Sequence, residues 1–189
     1  LNTGTLLGSA NADVFALDAA GLIANQILFT AINSLVDAQG GADDVTGMVG
    51  TDWTLTADNG ALSSTPYQFV NIETADLVNQ SLTGTDANSE TFTITTADNA
   101  VNVNAIDLVQ VSAINAGTSA NDEIVVTGSA VNAALTSSDN GLTASNIAFS
   151  NINDVALNNG ELTGTNLDNE TFTIGADANE VNVNAIDFT

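Results

Sequence analysis

The chain contains a long internal repeat, and this repetition limits the folds that it can adopt more than any other feature. Residues 82–108 and residues 162–188 are identical at 17 of 27 positions without a gap, which defines an 80-residue repeat. A degenerate copy of the same pattern begins at Leu6 and includes Phe15. Repetition of this kind indicates a solenoid or an array, in which each unit buries its apolar face against its neighbours.

A weaker period of half that length lies inside the 80-residue unit, because Phe29 and Ile32 recur as Phe69 and Ile72. We divide the chain into a degenerate repeat over residues 1–81, a full repeat over residues 82–161 and a partial repeat over residues 162–189. We expect all three to lie in one continuous solenoid. Neither end shows a distinct polar cap, so we expect the segment to belong to a longer repetitive protein.

The sequence of each repeat predicts short β-strands. Residues 91–95 alternate polar and apolar side chains, as a strand with one buried face does, and so do residues 101–104. Gly, Asn, Asp, Ser and Thr separate these segments, which is typical of turns. The predicted core consists of equivalent positions in two repeats: Phe92, Ile94, Val101, Val103 and Ile106, with Phe172, Ile174, Val181, Val183 and Ile186.

We therefore predict an all-β fold, a β-solenoid in the form of a right-handed parallel β-helix built from 80-residue repeats. The alternative is a string of tandem β-sandwich modules of about 80 residues, which would carry hairpin signals and a linker between copies. The sequence has no linker rich in Pro or Gly between its copies, and this favours the continuous solenoid.

The set of charged and nucleophilic side chains in the sequence excludes most catalytic chemistry. It contains 23 Asp and Glu residues but no Lys, Arg, His or Cys, which gives a net charge of −23. It therefore lacks an imidazole base, an amine or thiol nucleophile and any cleavage site for a trypsin-like protease. Such a surface repels nucleic acid and attracts divalent cations. No apolar segment of the sequence is long enough to span a membrane.

Acidic turn residues are the candidate metal ligands, because Ca²⁺ takes six to eight oxygen ligands from carboxylates, amides and carbonyls. No EF-hand spacing is present, and solvated turn carboxylates are the simpler interpretation. Calcium is thus an optional ligand and no cofactor is required. The candidates are Asp43, Asp44, Asp86, Asn88, Glu90, Asp122, Glu123, Asp168 and Glu170.

A glycoside hydrolase needs only two carboxylates, so a polysaccharide-acting β-helix enzyme is a third hypothesis. The acidic residues recur at equivalent turns, however, and are not concentrated in one place. We therefore predict no enzymatic activity.

Part of the repeat resembles those of large secreted bacterial surface proteins, the filamentous-haemagglutinin-like giant adhesins. The similarity rests on Phe149-x-Asn151-Ile152-x-x-Val155-x-Leu157, on Leu-Thr-Gly-Thr at residues 162–165 and on Asn-Glu-Thr-Phe-Thr-Ile at residues 169–174. The resemblance implies a right-handed parallel β-helix, an extended rod, secretion to the cell surface and a role in adhesion, in a filament or in a biofilm matrix.

We accordingly expect a structural and adhesive segment of an extracellular filament. Its expected partners are further copies of itself, end to end or side by side, and surface glycans or matrix. A calcium-dependent adhesin module of tandem β-sandwich domains is the alternative function.

Overall fold

The computed structural model describes residues 4–30, 35–56, 60–86, 89–95, 98–119, 121–127, 131–138, 140–165, 170–175 and 179–189. These residues form β-strands, turns and loops, and none of them is helical. The strands are β1 (Leu6–Leu7), β2 (Val14–Asp18), β3 (Gly21–Ala24), β4 (Ile27–Phe29), β5 (Leu35–Asp37), β6 (Asp44–Thr46), β7 (Trp53–Leu55), β8 (Leu62–Ser64), β9 (Tyr67–Val70), β10 (Thr74–Thr83), β11 (Thr91–Ile94), β12 (Val101–Val103), β13 (Ile106–Asn115), β14 (Glu123–Val126), β15 (Ala133–Leu135), β16 (Leu142–Ala144), β17 (Ile147–Ser150), β18 (Asp154–Ala156), β19 (Leu162–Thr163), β20 (Thr173–Ile174), β21 (Val181–Val183) and β22 (Ile186–Phe188).

The structural unit is half of the 80-residue sequence repeat. Each unit opens with a three-stranded antiparallel meander, and two further strand segments follow it in the first four units. The five meanders are β2–β3–β4, β7–β8–β9, β11–β12–β13, β15–β16–β17 and β20–β21–β22. The single strands fill the space between the meanders by parallel pairing.

Parallel pairing joins each meander to the second meander after it. Phe15 in the first meander pairs with Val45, Val45 with Ala75, and Ala75 with Leu108 in the third meander. The same kind of ladder runs from Trp53 in the second meander through Leu82 and Ile114 to Phe149 in the fourth. A third ladder joins the third meander to the fifth.

The strands consequently form two layers. Layer one holds the first, third and fifth meanders, and layer two holds the second and fourth. Their inward side chains meet in one core, where the ring centroids of Phe15 and Phe69 lie 6.4 Å apart and those of Phe92 and Phe149 lie 6.1 Å apart. Strands β10 and β13 pass from one layer to the other, and positive φ angles at Val78, Asn79 and Gln110 mark the crossings.

The predicted β-solenoid is confirmed, since successive coils stack by parallel strand pairing through the whole chain. The tandem β-sandwich alternative is wrong, because these ladders join consecutive units without a break. The antiparallel meanders are a feature that the sequence analysis lacked. The predicted boundary between residues 81 and 82 falls inside β10.

The predicted core is confirmed in the full repeat and partly wrong in the last one. Val183 and Ile186 are buried and Val181 is half-buried, but Phe172 is 48% and Ile174 is 83% exposed. The reason is strand pairing: β11 lies between β12 and β14, whereas β20 pairs with β21 alone within the described residues. Without a strand on its outer side, β20 leaves Ile174 uncovered, and Phe172 immediately before it is uncovered as well.

Asparagine residues shape the corners of the solenoid. Asn99 and Asn140 adopt positive φ in the loops between the first two strands of their meanders. The Asn99 amide donates to the carbonyl of Val111 at 3.1 Å, and the Asn140 amide donates to the carbonyl of Ile152 at 3.0 Å. Their backbone N–H groups donate to the hairpin turn of the next meander, at Ser145 and Asn184.

Candidate functional site

In layer one, carboxylates link neighbouring coils. Each of them lies two residues before an inward-facing side chain. The Asp13 N–H donates to Asp43 Oδ1 at 2.7 Å, and the Asp43 N–H donates to Glu73 Oε2 at 2.8 Å. The Asp43 and Glu73 side chains thus each receive a backbone hydrogen bond from the coil before them. Hydrogen bonds from N–H groups to a carboxylate are stronger than those to a neutral acceptor.

A second ladder of the same form lies in the full repeat, residues 82–161. The Glu90 N–H donates to Asp122 Oδ1 at 2.9 Å, and the Asp122 N–H donates to Asn153 Oδ1 at 3.1 Å. Glu90 also closes its own turn, since its Oε1 accepts the backbone N–H of Thr85 at 3.2 Å and the Thr85 hydroxyl. Asp13 and Glu170 close the equivalent turns at Ser9 and Thr165.

Three of these carboxylates are buried and each has one oxygen atom without a partner among the described residues. Asp43 and Asp122 are fully buried and Glu90 is 1% exposed. Asp43 Oδ2, Glu90 Oε2 and Asp122 Oδ2 receive no hydrogen bond from the described part of the chain. Charged groups rarely occupy the interior without a partner, because an unpaired buried ion costs several kcal/mol.

The environment of the acidic residues changes their pKa values in opposite directions. Burial, supplemented by the negative charge of Asp122, raises the pKa of Glu90. Hydrogen bonds from the Ser9 backbone and then from the Asn25 amide lower the pKa of Asp13. The two residues occupy equivalent turns, so the direction of each pKa shift is determined by the local neighbours of that residue.

Two hydrogen bonds between coils of layer two have a neutral side chain as the acceptor. Gln80 Oε1 accepts the N–H of Gly50 at 3.1 Å, and Asn132 Oδ1 accepts the N–H of Glu161 at 3.0 Å. An amide oxygen therefore satisfies this bond between coils without a charge.

The carboxylates within strands are also distributed unequally between the two layers. Of the eight carboxylates that lie within strands of the described chain, Asp37 alone belongs to layer two. In layer one, Glu123 lies opposite Asp154 on the neighbouring strand, and Asp154 lies opposite Asp187 on the strand after that. Burial and then the charge of Asp187 raise the pKa of Asp154.

The structure brings together some of the predicted metal ligands. Glu90 and Asp122 meet in one ladder, and Asp43 lies in the other. Asp44 and Asp86 are exposed, and Asp86 accepts hydrogen bonds from the backbone and the hydroxyl of Thr118.

Glu123 and Glu170 are half-buried. The predictions at Asn88 and Asp168 lie outside the described residues. Across the residues that the structure describes, no group of three or more acidic side chains is arranged to hold a metal ion.

Sequence reasoning missed Asp13, Glu73 and Asn153 as members of the ladders. A signal for them exists: Asp13, Asp43 and Glu73 follow one another at a constant spacing, and each stands two positions before a buried side chain. The 80-residue period does not reveal this spacing, because it relates repeats of similar sequence and not coils that are in contact.

Four concave sites of about 240 to 430 Å³ lie on the surface of the described chain. Each is lined by a single carboxylate: Asp98, Asp18, Asp13 and Asp107 respectively. Carboxylate-pair hydrolysis requires two acidic groups on opposite sides of the substrate bond. The geometry of these four sites therefore does not supply that pair.

Comparison of the chain with models of protein families, with curated proteins and with solved structures finds no match. In the described residues, no helix has the length and apolar character needed to cross a membrane.

Proposed function

We propose that this chain is a non-catalytic structural and adhesive segment of an extracellular filament on a bacterial cell surface. The observation that carries the proposal is the continuity of the parallel ladders, which pass from each unit into the next through the whole chain. A molecule of this form grows in length as units are added, because each unit contacts only its neighbours.

The expected increment follows from the strand count. Each 80-residue repeat adds five strands to each layer, namely one meander and two single strands. At a spacing of about 4.8 Å between strands, one repeat lengthens the rod by about 24 Å. A rod that lengthens by added repeats holds an adhesive surface away from the cell.

Composition supports an extracellular position and a passive role. The chain has no Lys or Arg for a trypsin-like protease to recognise, and it has no His or Cys for acid–base or thiol chemistry. Each of the four surface cavities described above is lined by a single carboxylate, which favours a non-catalytic function over polysaccharide hydrolysis. Its partners in this proposal are further copies of itself and surface glycans or matrix.

The proposal is tested by displaying the chain on a bacterial surface with zero, one or two extra copies of residues 82–161 inserted in phase after residue 161. We expect the thickness of the surface layer, measured by atomic force microscopy, to rise in equal steps of about 24 Å. Adhesion of the cells to a polysaccharide-coated surface under flow should rise with it. The control carries inserts of the same composition in shuffled order. Equal adhesion of the shuffled series would contradict the proposed function.

A further inference from the structure

The Glu90–Asp122 pair is the most unusual feature of the interior. Asp122 Oδ1 is occupied by the Glu90 N–H and by the Ser119 hydroxyl, which lies 2.6 Å away. Glu90 Oε1 is occupied by Thr85. Within the described residues, the second oxygen of each carboxylate, Glu90 Oε2 and Asp122 Oδ2, has no hydrogen-bond partner although both residues are at most 1% exposed.

No side chain of this protein can neutralise these two oxygens. The chain has no Lys, Arg or His, so no side-chain ion pair is available anywhere in the fold. The two carboxylates are near enough that the charge of Asp122 contributes to the raised pKa of Glu90, after the larger effect of burial. A positive charge from outside the chain, either a metal cation or a proton, would therefore stabilise the pair.

The hydrogen bonds between coils do not explain why these side chains are acidic. Gln80, Asn132 and Asn153 accept the same type of bond with a neutral amide oxygen. An amide would also avoid the cost of burying a charge. The unpartnered oxygen is moreover repeated. Asp43 stands in the corresponding position of the other ladder, and its buried Oδ2 likewise has no partner among the residues that the structure describes.

We propose that Glu90 and Asp122 bind a divalent cation of the Ca²⁺ class between neighbouring coils. Their free carboxylate oxygens are the hard, anionic ligands that Ca²⁺ prefers, and its irregular coordination accepts hydroxyl and carbonyl oxygens of the adjoining turns. Thr85 and Ser119 place such hydroxyls beside the two carboxylates. The site joins two successive coils, so the cation would fasten one coil to the next. The inference does not depend on the proposed adhesive function.

The test uses the whole chain, calcium titration calorimetry and thermal unfolding in CaCl₂ against NaCl of matched ionic strength. We expect saturable calcium binding and a melting temperature that is higher in CaCl₂ than in matched NaCl. Glu90→Gln and Asp122→Asn should each abolish both effects. The matched control, Asp52→Asn, removes one exposed carboxylate outside the ladders and should keep both effects.

A second measurement separates loss of the site from loss of the fold. In calcium-free buffer, Glu90→Gln should unfold at a temperature no lower than the wild type, because the amide keeps the acceptor for Thr85 and removes an unpaired buried charge. Equal responses to the two salts would overturn the proposal, as would full calcium binding by Glu90→Gln and Asp122→Asn. Stabilisation of the wild type by acid alone, with no response to calcium, would overturn it in favour of a proton shared by the pair.

Discussion

Two phenylalanines at equivalent positions of the 80-residue repeat have opposite environments. Phe92 is fully buried against Phe149, whereas Phe172 is about half exposed on the strand segment that contains β20. Phe92→Ala should lower the free energy of unfolding by about 3–5 kcal/mol, because it loses the transfer energy of the ring and leaves a cavity. Phe172→Ala is the matched control and should cost clearly less. Denaturant unfolding of both variants provides the measurement, and equal losses would contradict the assigned environments.

Asp154 lies between two other carboxylates, Glu123 and Asp187, in the ladder of layer one. Burial and the charge of Asp187 raise its pKa above the ordinary value of 3.8, so protonation of Asp154 favours the folded state. Stability from this group is complete below pH 3.8 and is lost as the pH rises through the folded-state pKa. Asp154→Asn should therefore stabilise the chain at pH 7, by about 0.2–1 kcal/mol.

The gain from Asp154→Asn should disappear near pH 3, where the wild-type carboxyl is protonated in both states. Asp52→Asn changes the net charge equally at an exposed position and serves as the control. Denaturant unfolding at the two pH values measures the difference. A gain that persists unchanged at low pH would contradict the role of charge.

The buried acidic residues show how much of the candidate site could be predicted from the sequence. Asp43, Glu90 and Asp122 were predictable as ligand candidates because they recur in acidic turns. Their burial was not predictable, because a turn rich in Asp, Asn and Gly normally faces solvent. Burial depends on backbone N–H groups of the neighbouring coil, and the 80-residue sequence similarity does not connect coils that touch.

At the level of elements, four of the five meanders join their second and third strands by a tight hairpin turn with positive φ at both central residues. Asn104 and Ala105 form one such turn, with φ angles of 49° and 62°, and Asn184 and Ala185 form another. An alanine in this region is strained, whereas Asn-Gly is the favoured pair. Ala105→Gly should stabilise the chain by about 0.5–1 kcal/mol, the relief of strain exceeding the entropy lost at glycine.

The control for Ala105→Gly is Ala113→Gly, which places glycine in the extended strand β13. This change should destabilise the chain, because glycine gains nothing there and loses more entropy on folding. Thermal unfolding of both variants measures the two effects. Effects of the same sign would contradict the assigned turn.

The same elements explain how far the fold could be predicted from the sequence. Alternation and repetition predicted strands and a solenoid. The 80-residue period has a structural cause, since consecutive meanders lie in opposite layers and only alternate units share an environment. The meanders could not be foreseen, because Asn104-Ala105 lacks the glycine that signals a hairpin. The pairing of Phe15 with Val45 and of Val45 with Ala75 was equally hidden, since coils that touch are different parts of the repeat.

At the scale of the whole molecule, layer one of the described chain ends on each side in a strand whose outer edge is unpaired. Strand β4 pairs with β3 alone and exposes Ile27 and Leu28, while β20 pairs with β21 alone and exposes Ile174. Edge strands with apolar side chains favour pairing with another chain, and two different edges of one molecule stack head to tail without closing. The net charge of −23 opposes this approach. Salt at about 0.15 M shortens the Debye length to about 8 Å and should weaken the repulsion.

We therefore expect the isolated chain to associate end to end as protein and NaCl concentrations rise, with the mean mass measured by light scattering. Leu28→Asp and Ile174→Asp should each keep it monomeric, because each places a charge on one of the two edges. Val49→Asp is the control, since Val49 is 73% exposed but lies between β6 and β7, away from both edges. Association of the Val49→Asp variant should match that of the wild type. A monomeric wild type at every concentration and salt would contradict stacking, and equal loss of association in Val49→Asp would assign the effect to net charge instead of to the edges.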